Sequence, residues 1–152
     1  MKIIFTRYGE WENGHLNERG LKTMTGVAEK LKPIVHNQTF RIICANIPRA
    51  IESAEILAKS LNASQFVESF SELYAAEEDG VLPDVEPAEK ILKLVSENQQ
   101  TVIAVISREY IEVLPNHILN SLGIKEVQKT SLDRGQILVL YYDTESISYL
   151  SK

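Results

Sequence analysis

Three short runs of consecutive apolar residues constrain the fold of this chain more than any other feature. They lie at residues 2–6, 40–45 and 101–106, and the last of them, TVIAVI, contains no charged residue. Strands with one solvated face alternate apolar and polar residues, whereas continuous apolar strands are covered on both faces. The runs therefore predict a central sheet that is buried on both sides.

Segments with the periodicity of amphipathic helices separate these apolar runs. Asn17 can cap a first helix that we expect to end near Pro33, and Pro48 lies in the first turn of a second helix. Pro87 opens a third helix, and a fourth is expected to end at Gly123. Alternating strands and helices are typical of a parallel sheet between helical layers. We predict a three-layer α/β/α fold with a mostly parallel central sheet.

The rest of the chain adds weaker strands but no sign of a second domain. These strands are expected near residues 65–70, 125–130 and 136–142, and the sequence contains no internal repeat or linker. A length of 152 residues is typical of one domain that can bury its own core. We therefore expect residues 1–152 to form a single domain.

The composition excludes several kinds of partner. A net charge of −5 and a pI near 5.3 leave no broad basic surface for nucleic acid. No apolar run approaches the ~20 residues of a membrane span, and the apolar stretch Ile3–Phe5 is too short for a signal peptide. The single cysteine, Cys44, excludes an internal disulfide. These features predict a cytoplasmic protein that binds neither nucleic acid nor membranes.

An arginine follows each of the three apolar runs. Arg7 follows the first, Asn46 and then Arg49 follow the second, and Ser107 and Arg108 follow the third. In open α/β sheets, ligands bind at the carboxyl ends of the parallel strands. Guanidinium groups match the oxygens of phosphate or carboxylate, and helix N-termini at the same edge add N–H groups. The pattern predicts an anion pocket.

Other readings of these residues stay open. Each arginine could pair with a nearby acid, such as Glu10, Glu52 or Glu109, and have no function. The acidic segment 71–87 is a solvated loop, an active-site lid or the source of a carboxylate for the site. There is no Gly-x-Gly-x-x-Gly or Walker loop, and the three histidines lack helix-spaced ligand partners, so we expect no cofactor and no metal site.

Five segments match, in order, the motifs of one known family: FTRYGE at 5–10, LNERG at 16–20, ANIPRAIESAEILA at 45–58, FSE at 70–72 and VIAVISREYIEVL at 102–114. They resemble motifs of the histidine phosphatase superfamily, the phosphoglycerate-mutase-like proteins, and especially its short branch of phosphohistidine phosphatases. The resemblance implies a mixed sheet flanked by helices, with a phosphate pocket above the strand ends.

The resemblance also shows which catalytic groups differ. In the family, a first-motif histidine attacks phosphorus, and a second histidine and two arginines hold the transferring group. The resemblance matches Arg7 and Arg49 to those arginines, Tyr8 to the nucleophile and Arg108 to the second histidine. A phenol with a pKa of ~10 is almost wholly protonated at neutral pH, and arginine cannot shuttle a proton there. The resemblance therefore implies that the covalent route is lost.

Three functions follow from these observations. The first is a catalytically inactive pseudoenzyme that binds phosphate, a phosphoester or a phosphorylated protein through the strand-end arginines. The second is a weak phosphatase that uses Tyr8, or a water activated by Glu72 or Glu10. The third is an interaction scaffold whose former site is plugged by Tyr8 and by a pair between Arg108 and a carboxylate.

Overall fold

A computed structural model describes most of the chain. The described residues are 2–64, 67–70, 86–98, 100–121, 123, 131–141 and 146–150. The predicted strand at 125–130, the candidate acid Glu72 and nearly all of the proposed lid at 71–87 lie outside them.

Within the described residues, strands and helices alternate as the sequence pattern predicts. The strands are β1 (Lys2–Arg7), β2 (Trp11–Glu12), β3 (His15–Leu16), β4 (Phe40–Ala45), β5 (Glu68–Phe70), β6 (Thr101–Ile106), β7 (Ile137–Tyr141) and β8 (Ser146–Leu150). The helices are α1 (Glu18–Val35), α2 (Pro48–Ser60), α3 (Glu86–Asn98) and α4 (Arg108–Ser121). None of these helices is long and apolar enough to cross a membrane.

The main sheet has the order β5-β4-β6-β1-β7-β8. The first four of these strands run parallel, whereas β7 pairs antiparallel with β1 and β8 pairs antiparallel with β7. The predicted, mostly parallel sheet is confirmed. Neither β8 nor the small β2–β3 hairpin was predicted from the sequence.

Both faces of the sheet are covered, as the continuous apolar strands require. Every residue of β6 is buried, and successive side chains of a strand point to opposite faces. Helix α1 packs against α2, and α3 packs against α4, so the helices form two pairs outside the sheet. The predicted three-layer α/β/α architecture is confirmed.

Helix α1 begins and ends close to the predicted residues. The Asn17 side chain accepts a hydrogen bond of 2.9 Å from the Gly20 N–H, which confirms the predicted cap. The helix ends near Pro33, as expected, but it continues two residues past the proline to Val35. Val35 is buried in the core, and the Lys2 ammonium group donates to the Ile34 carbonyl at 3.3 Å. These contacts stabilise the last turn despite the proline.

The strand register brings several chain segments together at one end of the sheet. Arg7 of β1 lies beside Ile106 of β6, and Thr6 lies beside Ile137 of the antiparallel strand β7. The carboxyl ends of β1, β4 and β6 therefore lie at the same end of the sheet as the amino end of β7. We call this end of the sheet the rim.

Candidate anion-binding site

Arg7 is the last residue of β1 and is half-buried at the rim. Its Nη1 donates a hydrogen bond of 3.1 Å to the carbonyl of Leu132, in the segment that precedes β7. The Thr6 hydroxyl donates to the carbonyl of Gln136 in the same segment at 3.2 Å. These two bonds fix the segment 131–136 against the end of β1, where it forms one wall of the site.

Two further arginines lie near Arg7. Burial lowers the pKa of the Arg7 guanidinium below its ordinary value, and the positive charges of Arg134 and Arg108 lower that pKa further. The Glu109 carboxylate acts in the opposite direction. Arginine stays protonated at neutral pH in spite of such shifts, so positive charge is concentrated at this part of the rim.

Arg49, the second residue of α2, contacts two aromatic rings. Its guanidinium carbon lies 4.2 Å from the centroid of the Trp11 ring and 5.0 Å from that of Tyr8. Such cation–π contacts use the face of a guanidinium group and leave its N–H groups, which lie in its plane, for hydrogen bonds. Tyr8 is 8% exposed and Trp11 is 40% exposed, so the pair extends from the core to the surface.

The segment that carries Trp11 is held against one face of α2. Residues three and four apart share a helix face, and Arg49, Glu52 and Ser53 have this spacing. The Glu52 carboxylate accepts from the Leu16 N–H at 3.1 Å, and the Ser53 hydroxyl accepts from the Gly9 N–H at 3.1 Å. The β2–β3 hairpin is thus anchored to the helix that supplies Arg49.

Arg108 differs from Arg7 and Arg49 because it has carboxylate partners among the described residues. It is the first residue of α4, and its side chain is 60% exposed. Its guanidinium nitrogens lie 3.6 Å from the Glu109 carboxylate and 4.0 Å from that of Glu112. Exposed ion pairs of this kind contribute little stability. Arg108 therefore lies at the outer part of the site with its charge partly compensated.

The other acids considered from the sequence are engaged elsewhere. Glu10 accepts a hydrogen bond of 2.7 Å from the Thr23 hydroxyl of α1. Glu52 binds the hairpin backbone and lies 3.3 Å from the His15 ring. Among the described residues, neither Arg7 nor Arg49 forms an ion pair, so simple acid pairing accounts for Arg108 alone.

Three buried polar atoms at the rim lack a hydrogen-bond partner among the described residues. They are Arg49 Nε, Arg134 Nε and Ser107 Oγ, and Ser107 is only 2% exposed. A buried donor without an acceptor costs about 1–3 kcal/mol. The oxygens of a bound anion can act as such acceptors. Asn46 is exposed, and its side chain makes no hydrogen bond to the described residues.

Sequence reasoning missed Trp11 and Arg134. Trp11 is the only tryptophan of the chain, and it follows a strand-end arginine by four residues, which is the one signal that could have drawn attention to it. Arg134 precedes an antiparallel strand, and a search restricted to the carboxyl ends of parallel strands does not reach it. The described residues contain no group of three histidine, cysteine, aspartate or glutamate side chains that could hold a metal ion.

Comparisons with known proteins identify the fold. No family model matches the sequence, and no curated protein matches it. Among solved structures, the tungstate complex of the protein histidine phosphatase SixA has a TM-score of 0.73 at 16% identity, covering 99% of this chain and 94% of that chain.

Two further structures are similar over nearly the whole length of both chains. Bacillus stearothermophilus YhfR has a TM-score of 0.71 at 14% identity, covering 99% of this chain and 96% of that chain. A phosphoserine phosphatase variant from Entamoeba histolytica, in complex with phosphoserine, has a TM-score of 0.65 at 18% identity. The match covers 99% of this chain and 95% of that chain. The chain therefore has the fold of the histidine phosphatase superfamily, the phosphoglycerate-mutase-like fold.

Proposed function

We propose that this protein binds phosphate, or the phosphoryl group of a phosphorylated ligand, and does not hydrolyse it by the histidine route. The observation that carries the proposal is the set of buried donors at the rim, Arg49 Nε, Arg134 Nε and Ser107 Oγ, which have no acceptor among the described residues. Together with Arg7 they supply charge and hydrogen bonds for a tetrahedral oxyanion.

The binding mode follows from how each side chain is held. The hydrogen bond to Leu132 uses one nitrogen of Arg7 and leaves the rest of its fork for ligand oxygens. Stacking on Tyr8 and Trp11 restricts Arg49 before the ligand arrives, which lowers the entropy lost on binding. Ser107 adds a neutral donor from the end of β6. Arg108, already near two carboxylates, adds long-range attraction at the entrance.

Tyr8 lies where the resemblance places the attacking histidine. Its ring is almost fully buried and contacts the Arg49 guanidinium. A neutral phenol is a weak nucleophile, and covalent catalysis needs an adjacent base to activate it. Glu10, one candidate base, has its carboxylate bonded to Thr23 on the side of α1. These features support binding without turnover.

The ligands of similar structures support the same class of ligand. SixA was solved with tungstate, a tetrahedral oxyanion, and the Entamoeba histolytica phosphoserine phosphatase variant was solved with phosphoserine. We extend this class to the present chain because its strand-end arginines lie at the carboxyl ends of the parallel strands, where open α/β sheets bind ligands.

The first test compares the thermal unfolding midpoint in phosphate and in chloride at matched ionic strength. At about ten times its Kd, phosphate is expected to raise the wild-type midpoint by about 4 °C, because a ligand that binds only the folded state stabilises it by mass action. Arg7→Ala is expected to abolish this rise, because the variant loses the half-buried charge at the centre of the site.

A matched control removes an arginine from the end of the sheet opposite the rim. Arg41 lies near the amino end of β4 and forms an ion pair with Glu68 at 3.3 Å. Arg41→Ala changes the net charge by the same amount as Arg7→Ala. Because Arg41 lies away from the rim, this variant is expected to keep the full response to phosphate. An equal response in wild type and Arg7→Ala would contradict the proposal.

The only tryptophan gives a direct optical test of the same site. Phosphate titration is expected to produce a saturable change in Trp11 fluorescence, because an anion on Arg49 alters the field of the cation that stacks on the indole. Arg49→Met should show no saturable change, whereas Arg41→Met should behave like wild type. A wild-type signal that follows ionic strength alone would count against binding at Arg49.

Two observations favour a second function, that of an interaction scaffold with a plugged pocket. Arg108 does form a pair with Glu109, and Tyr8 is almost fully buried, as a plugged site requires. A scaffold of this kind predicts no response of stability or Trp11 fluorescence to phosphate. The two measurements above therefore separate it from the proposed binding function.

A further inference from the structure

We propose that Glu52 is a positioning residue of the anion site, which holds the β2–β3 hairpin against α2 so that Trp11 orients the Arg49 guanidinium for its ligand. The inference rests on the proposed phosphate-binding function and adds to it a residue that acts through the hairpin rather than on the anion. In the sequence, Glu52 is an acid that could simply neutralise a nearby arginine. In the structure, its carboxylate contacts the hairpin.

The orientation of the Arg49 guanidinium depends on aromatic rings. Among the described residues, the Arg49 side chain makes no hydrogen bond and no ion pair, and its buried Nε has no acceptor. Its guanidinium carbon lies 4.2 Å from the centroid of the Trp11 ring and 5.0 Å from that of Tyr8. Tyr8 is almost fully buried, whereas Trp11 lies on the hairpin and is partly exposed. The position of Arg49 therefore depends on what holds the hairpin.

The hairpin is too small to fix its own position. It forms a sheet separate from the main one, and its strands are two residues each. Asn13 and Gly14 form the turn between them with φ values of 53° and 84°, as in the two-residue type I′ turns of hairpins. Isolated two-stranded hairpins are at best marginally stable. Contacts with the rest of the protein must therefore determine where Trp11 lies.

Glu52 joins the end of the hairpin to α2. Its Oε1 accepts a hydrogen bond of 3.1 Å from the Leu16 N–H, and its Oε2 lies 3.3 Å from Nδ1 of His15. Leu16 is the cross-strand neighbour of Trp11, so the carboxylate holds the strand that pairs with the indole-bearing strand. Hydrogen bonds to a carboxylate are stronger than neutral ones. Because Glu52 follows Arg49 by one turn of α2, the same helix carries the cation and the group that brings the ring to it.

Charge and position predict opposite effects of Glu52 on anion binding. A carboxylate near Arg49 lowers the positive potential at the site, so its removal should strengthen phosphate binding if charge alone matters. If Glu52 positions Trp11, loss of its reach to the hairpin should weaken binding, because Arg49 must then be immobilised by the anion itself. Two substitutions separate these effects. Glu52→Gln removes the charge and keeps an oxygen acceptor at the same length, whereas Glu52→Asp keeps the charge and shortens the side chain by one methylene.

The test measures the Kd of the full chain for orthophosphate by titration calorimetry at constant ionic strength. We expect Glu52→Asp to weaken binding about fivefold and Glu52→Gln to stay within about twofold of wild type. Glu55 is an exposed acid of the same helix, and Glu55→Gln, with the same charge change as Glu52→Gln, should also stay within about twofold. Without phosphate, the neutral quencher acrylamide should quench Trp11 fluorescence more strongly in Glu52→Asp than in wild type, because the ring no longer stays on Arg49.

A double-mutant cycle tests whether Glu52 acts through Trp11. Trp11→Ala should weaken phosphate binding by a similar factor, and Glu52→Asp should add little to that loss. An equal effect of Glu52→Asp with and without Trp11, or wild-type affinity of Glu52→Asp, would overturn the positioning role and leave the proposed function intact. No response of wild type to phosphate would overturn both. If Glu52→Asp does not fold, Glu52→Ala takes its place in the same cycle, with the same expected weakening.

Discussion

Replacement of Gly20 by alanine is expected to lower the free energy of unfolding by about 3 kcal/mol, the upper part of the range for overpacked sites. A Cβ atom on Gly20 would lie 2.1 Å from the Glu10 carbonyl oxygen and 2.8 Å from the Leu16 side chain. The nearer atom is backbone, so rotation of a side chain cannot relieve the contact. Either α1 or the segment after Tyr8 must move.

Chemical denaturation of the variant and a matched control would measure this effect. Gly26 lies in the same helix, is exposed, and would have no atom within 4 Å of an added Cβ. Gly26→Ala is therefore expected to raise stability by up to about 1 kcal/mol through helix propensity. Equal stability of Gly20→Ala and wild type would show that the contact between α1 and the Glu10 backbone is not a close one.

The same contact helps to position the candidate site. A Cβ on Gly9 would lie 2.7 Å from the Gly20 carbonyl oxygen, so the two glycines allow the chain after Tyr8 to cross closely over the start of α1. Trp11 follows this crossing directly. Displacement of the crossing in Gly20→Ala is expected to weaken phosphate binding as well as stability.

The second large effect is expected at alkaline pH and comes from Cys44. Burial, and secondarily the negative charge of Glu55, raises the pKa of the Cys44 thiol from its ordinary value of 9.0 to about 12. Between these values the unfolded chain releases the thiol proton and the folded chain keeps it. Stability is therefore unaffected below about pH 9 and falls as pH rises towards about 12, by about 1.4 kcal/mol per pH unit.

The measurement is the difference in unfolding free energy between wild type and Cys44→Ala as a function of pH. Other titrating groups are common to both chains and cancel in this difference. We expect wild type to lose about 3 kcal/mol relative to the variant between about pH 8.5 and about pH 11. A difference that is constant with pH would contradict the raised pKa. Slow modification of native Cys44 by thiol reagents should accompany the effect, because the thiolate is the reactive form.

The parts of the fold that could be predicted are those set by burial. Strands β1, β4 and β6 are covered on both faces, so their sequences had to be continuously apolar, and this pattern is visible without a structure. Ligands bind at the carboxyl ends of such strands, so the positions of Arg7, Arg49 and Arg108 in the sequence are enough to predict that they line a site.

The rest depends on tertiary contacts that leave little trace in sequence. The hairpin strands are two residues each, too short for a periodic pattern, and they are held by side chains of α2. Arg134 reaches the rim because β7 runs antiparallel to β1. The apolar sequence of β7 does not indicate this direction. Side-chain placement also decides which arginines form ion pairs. Arg108 pairs with Glu109, whereas Arg7 and Arg49 pair with no acid among the described residues.

The bond between Arg7 and Leu132 joins residues that are 125 positions apart in the chain. During synthesis the first strand therefore leaves the ribosome long before the wall of its binding site exists. Synthesis at about 5–20 residues per second makes this interval roughly 6–25 seconds, far longer than the elementary steps of folding. A ligand that requires Arg134 would recognise only chains in which β7 has docked on β1, and would leave earlier intermediates unbound.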